Sequence, residues 1–246
     1  MYLIKMRPGE LKKATTDNIP VIISAGSVEY HGPHLPIGTD FLIADSVITE
    51  VEKRIPDRCI IAPSLPFSST MNWAGDATEG DADFSPDALY VYAREVFAQL
   101  TAMGFKRIYV LQHHQGPEGL PCLSLRRAAA EIVRDITKGW GHSWGRLPHE
   151  KCPNPKIFEL IRIASADSFS EYAGQIPFGH AGKGETQFIM AAYPETVDMD
   201  ELAAMKTELK ENLPRWLSDA DSATYEEGKK WLEACVSGWI NELLKS

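Results

Sequence analysis

Short apolar runs alternate along this 246-residue chain with longer segments in which apolar residues recur every three or four positions. A short run rich in β-branched residues predicts a strand that is buried on both faces of a sheet. Such runs predict strands over residues 20–25, 59–63, 107–112 and 157–165. The longer spacing is that of one face of an α-helix. It predicts helices over residues 40–55, 86–103, 120–136 and 184–193, and a charged helical tail over residues 200–246.

The order of these elements, strand then helix in repeated alternation, predicts an α/β fold with a parallel, doubly wound sheet. Residues 137–155 interrupt the alternation with a stretch rich in Trp, Gly and Pro, which we interpret as a long functional loop. Neither an internal repeat nor a linker-like stretch divides the chain. We therefore expect residues 1–246 to form a single domain.

Composition narrows the classes of partner and compartment. The chain is 44% hydrophobic and 24% charged, which is typical of a folded globular protein, and its formal net charge is −9. An excess of acidic residues argues against nucleic acid or an anionic membrane surface as a partner. The four cysteines lie far apart, and no apolar stretch resembles a signal peptide or a membrane span. We expect a cytoplasmic protein without a disulfide framework.

The densest group of polar residues, over residues 26–40 with the sequence GSVEYHGPHLPIGTD, directly follows the first predicted strand. Ligands of open parallel sheets bind beyond the carboxyl ends of the strands, so this is a suitable place for a site. Glu29 and His31 project to the same side of an extended segment, and the turns that follow bring Asp40 back towards them. Two carboxylates and an imidazole suit Zn²⁺, Mn²⁺ or Fe²⁺. The alternative is that these residues are a helix cap, a loop histidine and a surface acid, which is the more common role of each residue type taken singly.

Two further polar segments follow later predicted elements. The sequence QHHQGPE over residues 112–118 follows the third strand; if that strand continues, His113 and His114 point in opposite directions and one of them enters the site. The sequence GHAGKGET over residues 179–186 precedes a helix and offers His180 as a general acid or base and Glu185 as a further metal ligand. The alternatives are a hydrogen-bonded histidine pair and an ordinary glycine-rich turn.

The first of these segments closely resembles the signature of the creatininase (creatinine amidohydrolase) family, and HAGKGET resembles a later element of the same family. The resemblance implies a three-layer α/β/α sandwich with a mainly parallel sheet, and a hydrolase that uses two divalent metal ions. It implies a homo-oligomer, commonly a hexamer. Matched position by position, the metal ligands are Glu29, His31, Asp40, His114 and Glu185, with Asp40 bridging the ions. His180 matches a proton shuttle or a substrate contact.

The resemblance also implies the reaction. Water activated by the metals is expected to attack a carbonyl of a small cyclic substrate. The bond that is broken is expected to be that of a cyclic amide or a related C–N bond. The first alternative is a C–C hydrolase that opens an oxidised cyclitol of the diketo-inositol or 3-dehydro-scyllo-inosose type. The second alternative is a family member that binds metal without catalysis.

Departures from the family pattern affect the substrate side. Gly116 stands where creatininase has a glutamate, and the role of Glu118 nearby stays open. The segment over residues 68–85 is unlike its family counterpart and rich in acids, so we do not expect creatinine as the substrate. The acid-rich stretch over residues 76–83, together with Asn72 and with Gln115 as a substrate contact, would favour a hydroxyl-rich substrate over a flat lactam. We expect the loop residues Trp140, His142 and Trp144 to close over the ligand; the alternative is ordinary packing or a subunit contact.

Overall fold

Four parallel strands form the centre of the molecule in this computed structural model, which describes residues 1–245. The strands lie in the order β2-β1-β3-β4, and every neighbouring pair is parallel. Their bounds are β1 Val21–Ala25, β2 Ile60–Ile61, β3 Ile108–Gln112 and β4 Ile161–Ala164. The predicted strands are confirmed, although β2 and β4 are shorter than expected. The start of the fourth predicted strand is instead a short 3₁₀ turn, Ile157–Glu159.

Seven α-helices surround the sheet in the described part of the chain, residues 1–245. Their bounds are α1 Pro8–Thr16, α2 Thr39–Arg54, α3 Pro86–Ala102, α4 Leu120–Gly139, α5 Lys183–Ala192, α6 Met199–Leu209 and α7 Tyr225–Leu243. The expected helical tail is thus two helices, and the stretch between them, which contains Pro214, holds short 3₁₀ turns. Helix α1 was not among the predicted elements. Pro8 at its first position and Glu10, whose carboxylate accepts the Arg7 N–H at 2.7 Å, are start signals that could have predicted it.

The sheet separates two apolar cores because successive side chains of a strand point to opposite faces. On one face, Ile22 belongs to a core formed with helices α2, α5 and α7. On the other face, Val21 and Ile23 belong to a core formed with helices α3 and α4. Strands β1, β2 and β3 are buried throughout, as the apolar runs require, whereas β4 is buried only at Ile161. This is the expected three-layer α/β/α sandwich. Among the described residues, no helix combines the length and apolar character needed to cross a membrane.

Candidate metal centre

A close approach of backbone brings the polar loop after β1 against the start of helix α2. An ideal Cβ at Gly26 would lie 2.5 Å from the backbone nitrogen of Phe41, so only glycine permits this contact. The loop is closed by a hydrogen bond from the Glu29 N–H to the carbonyl oxygen of Ile37 (2.8 Å). Asp40, in the first turn of α2, is thereby held beside Glu29.

Two groups of possible metal ligands share Asp40. The first group is Glu29, Asp40 and His114, and the second is His31, Asp40 and Glu185; within each group the ligand atoms lie within 4.8 Å of one another. His114 Nδ1 is 2.8 Å from Asp40 Oδ2 and 3.4 Å from Glu29 Oε2. His31 Nε2 is 3.5 Å from an oxygen of Asp40 and 3.5 Å from an oxygen of Glu185. The structure therefore brings all five predicted ligands together around one shared carboxylate.

Burial and missing hydrogen bonds test whether these residues fit a cation. Glu29 and His31 are 0% exposed, and Asp40, His114 and Glu185 are also buried. Both carboxylate oxygens of Glu29 and Nε2 of His31 lack a hydrogen-bond partner among the described residues. Leaving a buried charged or polar group without a partner costs at least about 1–3 kcal/mol. Oxygen and imidazole donors aimed at a common point fit a divalent cation such as Zn²⁺ or Mn²⁺.

The ionisation of the ligands reflects the same crowding. Burial raises the pKa of Glu29 to about 7, because the carboxylate loses its hydration. Burial disfavours the charged forms of His31 and His114, but the neighbouring Asp40 carboxylate outweighs it and raises their pKa values to about 10 and about 9. Despite its own burial, Asp40 has a pKa well below its usual range because both imidazoles stabilise its charge. Protons therefore occupy the centre without cations, and metal binding must displace them.

His180 lies at the edge of this centre. Its Nε2 is 2.8 Å from the Tyr30 carbonyl oxygen, which can only accept, so Nε2 carries the proton in the neutral ring. Its Nδ1 lies 3.7 Å from Glu29 Oε2, and its ring contacts those of His31 (centroids 4.2 Å apart) and Trp73 (4.6 Å apart). Burial, together with the nearby His31, lowers the pKa of His180 to about 4. The unprotonated Nδ1 of this neutral imidazole faces the ligands, so it can accept a proton there and pass it on.

The end of strand β3 places two histidines, not one, in the site. The strand stops at Gln112, so the alternation that would send His113 and His114 to opposite sides does not continue. Both line the same cavity. His113 Nε2 lies 3.5 Å from Glu185 Oε1, and Glu185 also accepts the Ala181 N–H at 2.7 Å. The expectation that only one histidine of this pair enters the site is therefore wrong.

Four of the five predicted ligands, Glu29, Asp40, His114 and Glu185, line a cavity of about 630 Å³ at the carboxyl ends of the strands. The side chains on its wall that the sequence did not predict include Trp73, Arg126, Asp167 and Phe178. Gln115 lines it as expected, with its Nε2 donating to the Ser69 carbonyl oxygen (3.0 Å). Glu118 is exposed and does not line it. The signal available for Arg126 was its place early in the predicted helix that directly follows the QHHQGPE segment.

The loop aromatics lie elsewhere in the described chain. Trp140, His142 and Trp144 are absent from the cavity wall. Helix α4 has 20 residues, a length of about 30 Å, and its first turns line the cavity, so its last residues lie at the far end. There the rings of Trp140 and Trp144 pack on each other (centroids 5.1 Å apart) and on the core between the sheet and α3 and α4. Within this chain they serve packing, and His142 is exposed.

The chain is an α/β/α sandwich. At the ends of its strands it carries a buried group of carboxylates and imidazoles that suits metal ions. A family model described as "Creatinine amidohydrolase" matches residues 5–243, and the chain belongs to this creatininase family. Members of the family are metal-dependent amidohydrolases, so the chain is a metal-dependent hydrolase.

Individual relatives are more distant. The creatinine amidohydrolase of Pseudomonas putida is 22% identical over 238 residues, which cover 89% of this chain and 86% of the relative. A mycofactocin precursor peptide peptidase of Mycobacterium ulcerans (strain Agy99) is 26% identical over 263 residues, covering 96% and 91%. A solved structure named "Creatininase Mn" has a TM-score of 0.72 at 18% identity, covering 98% of this chain and 96% of that one. At that identity the likeness shows the fold.

Proposed function

We propose that the chain hydrolyses the C–N bond of a small amide at a pair of divalent cations. The observation that carries the proposal is the sharing of Asp40 between two buried groups of ligands, which suits two cations side by side. One cation would be held by Glu29, Asp40 and His114, and the other by His31, Asp40 and Glu185. Mn²⁺ and Zn²⁺ are the ions to test first, because both accept mixed oxygen and nitrogen ligands.

The chemistry divides between the cations and the chain. Bound divalent cations supply Lewis acidity, which makes water nucleophilic near neutral pH and polarises a carbonyl. His180 holds its Nε2 proton on the Tyr30 carbonyl oxygen and keeps Nδ1 towards the ligands, so Nδ1 takes a proton and delivers it to the leaving nitrogen. Glu185 is fixed by the Ala181 N–H and keeps its ligand oxygen beside His31.

The cavity and the relatives support an amide rather than an oxidised cyclitol. A volume of about 630 Å³ is within the range of small-molecule sites. Trp73 and Phe178 give the wall an apolar part that a flat amide can cover better than a hydroxyl-rich ring can. The two curated relatives are named for C–N bond cleavage, one of a cyclic amide and one of a peptide. We further propose that the protein works in the cytoplasm as a homo-oligomer, a hexamer as the family resemblance implies.

Metal content tests the centre before any substrate is known. The purified protein, reconstituted with Mn²⁺ or Zn²⁺ and desalted, is expected to hold two ions per chain. Asp40→Asn is expected to lose both ions because the residue serves both groups, whereas Glu185→Gln is expected to lose one. Asp57→Asn, at an exposed position, is the matched control and should keep two. Two ions retained by Asp40→Asn would refute the shared centre.

A substrate panel then tests the reaction. The metal-loaded protein is offered cyclic amides, linear amides with small acyl groups, and an oxidised inositol, and released amine or ring-opened acid is measured. Turnover of amides that is lost in Asp40→Asn supports C–N hydrolysis. Turnover of the oxidised inositol alone would replace it by C–C hydrolysis. Two tightly held ions without turnover of any class would favour a binding protein over an enzyme.

A further inference from the structure

Arg126 stands out on the cavity wall because of its charge. Among the described residues that line the cavity, it is the only lysine or arginine. It lies on α4 one turn after Cys122, which lines the same cavity, so this face of the helix borders the substrate space. Its side chain is exposed, so the guanidinium can reach a molecule in the cavity at little desolvation cost.

The guanidinium of Arg126 has few internal partners. Its Nη1 donates to the carbonyl oxygen of Pro117 at 3.4 Å, a long hydrogen bond, and no described carboxylate lies within 4.0 Å of it. The next residue differs: Arg127 contacts Asp87 and Glu131 as ion pairs and stacks over Tyr90. Most of the five N–H donors of the Arg126 guanidinium are therefore free to bind a ligand. A cation without a carboxylate partner is notable in a chain whose net charge is −9.

The contact with Pro117 shows that the guanidinium of Arg126 lies near the metal centre. Pro117 is three residues after the ligand His114, and three residues span at most about 10 Å. The intervening Gln115 and Gly116 have φ values of 55° and 67°, so the chain turns there and the true span is shorter. A single small molecule can therefore contact both the metal ligands and the guanidinium.

We propose that Arg126 binds a carboxylate of the substrate, so that the enzyme acts on small amides that carry an acidic group. A guanidinium matches a carboxylate through two parallel N–H donors. The proposal rests on the proposed amide hydrolysis and names its substrate class. It also explains how an acidic chain attracts an acidic substrate: one cationic group at the wall offsets the surrounding carboxylates.

Binding of two hydroxamates to the Mn²⁺-loaded protein separates this proposal from the reaction. Acetohydroxamate offers only the metal-binding group, while succinic acid monohydroxamate adds a carboxylate. We expect the acidic ligand to bind roughly tenfold tighter to the unchanged protein in calorimetric titrations. Arg126→Gln is expected to reduce this preference to within about twofold, and Arg126→Lys to keep part of it, because an ammonium lacks the planar pair of donors.

The control is Arg134→Gln, an exposed arginine two turns further along the same helix, which should keep the full preference. An equal preference in Arg126→Gln and the unchanged protein would overturn the role of Arg126 while leaving amide hydrolysis intact. Failure of the metal-loaded protein to bind either hydroxamate would instead overturn the metal-based function on which the proposal rests.

Discussion

Gly228 offers a direct test of how helix packing supports the centre. It lies in α7 where that helix crosses α5, and an ideal Cβ there would come within 1.7 Å of the carbonyl oxygen of Gln187. Real Cβ atoms essentially never approach below 3.0 Å. In Gly228→Ala the two helices must therefore separate by more than an ångström. Because Glu185 lies only two residues before Gln187, the same movement displaces a predicted metal ligand.

Two opposing contributions set the expected change in the free energy of unfolding. Overpacking a close contact costs about 1–3 kcal/mol, and a contact between backbone and an added Cβ belongs at the upper end because neither atom can rotate away. Alanine regains about 1 kcal/mol over glycine inside a helix. We expect Gly228→Ala to lower the free energy of unfolding by about 2 kcal/mol, and to weaken Mn²⁺ binding at the group that contains Glu185.

Urea unfolding, followed by far-ultraviolet circular dichroism, measures the first effect, and titration with Mn²⁺ measures the second. Gly139→Ala in α4 is the matched control, since nothing lies within 4 Å of its ideal Cβ. That control should be as stable as the unchanged protein or slightly more so. If Gly228→Ala unfolds at the same urea concentration as Gly139→Ala, the packing argument is wrong.

Two other predictions concern the metal-free centre and the loop beside it. In the folded metal-free protein the pKa values of His31 and His114 are about 10 and about 9, above the ordinary 6.5, so the stability they confer is full below pH 6.5 and is lost as pH rises towards 10. Urea midpoints in chelator should fall between pH 6 and pH 9, and a flat profile would contradict this. Asp83 accepts hydrogen bonds from Ser69 Oγ and from the Thr70 and Met71 N–H groups, in the loop that presses Trp73 on His180. Asp83→Ala is expected to lower the free energy of unfolding by about 1 kcal/mol. It is also expected to lower turnover several-fold in an amide assay, because Trp73 is then no longer held on His180. Unchanged turnover, alongside the expected loss of stability in unfolding followed by Trp fluorescence, would argue against this role.

The periodicity of the sequence predicts the sandwich well because burial on this fold follows directly from it. Strands covered by helices on both faces must be apolar throughout, and β1 and β3 are. Apolar stripes predict the helices, and boundary residues such as Pro86 at the first position of α3 predict where they begin. Glu29, His31 and Asp40 could be predicted to meet because one short segment, the loop after β1 and the first turn of α2, carries all three.

The positions of residues that depend on packing against distant parts of the chain could not be predicted from periodicity. Trp140 and Trp144 belong to an irregular stretch, and only the length of α4 shows that they lie far from the cavity. Trp73 reaches the centre because Asp83 holds its loop through hydrogen bonds to residues 12 and 13 positions away, a contact with no periodic signature. His113 turns inwards because β3 ends one residue earlier, and strand ends are the least regular part of any prediction.

The three carboxylates of the centre would repel one another strongly if the fold supplied nothing to offset them. Asp40 and Glu185 each lie in the first turn of a helix, α2 and α5, where the positive end of the helix dipole favours negative charge. Glu29 has no such support, and burial raises its pKa to about 7. An anionic substrate meets the same negative charge, which the cations must neutralise before its amide can approach. Under the proposed function, loading with metal therefore has to precede productive binding. Among the described residues that line the cavity, Arg126 is the only lysine or arginine that could hold the acidic end of the proposed substrate meanwhile.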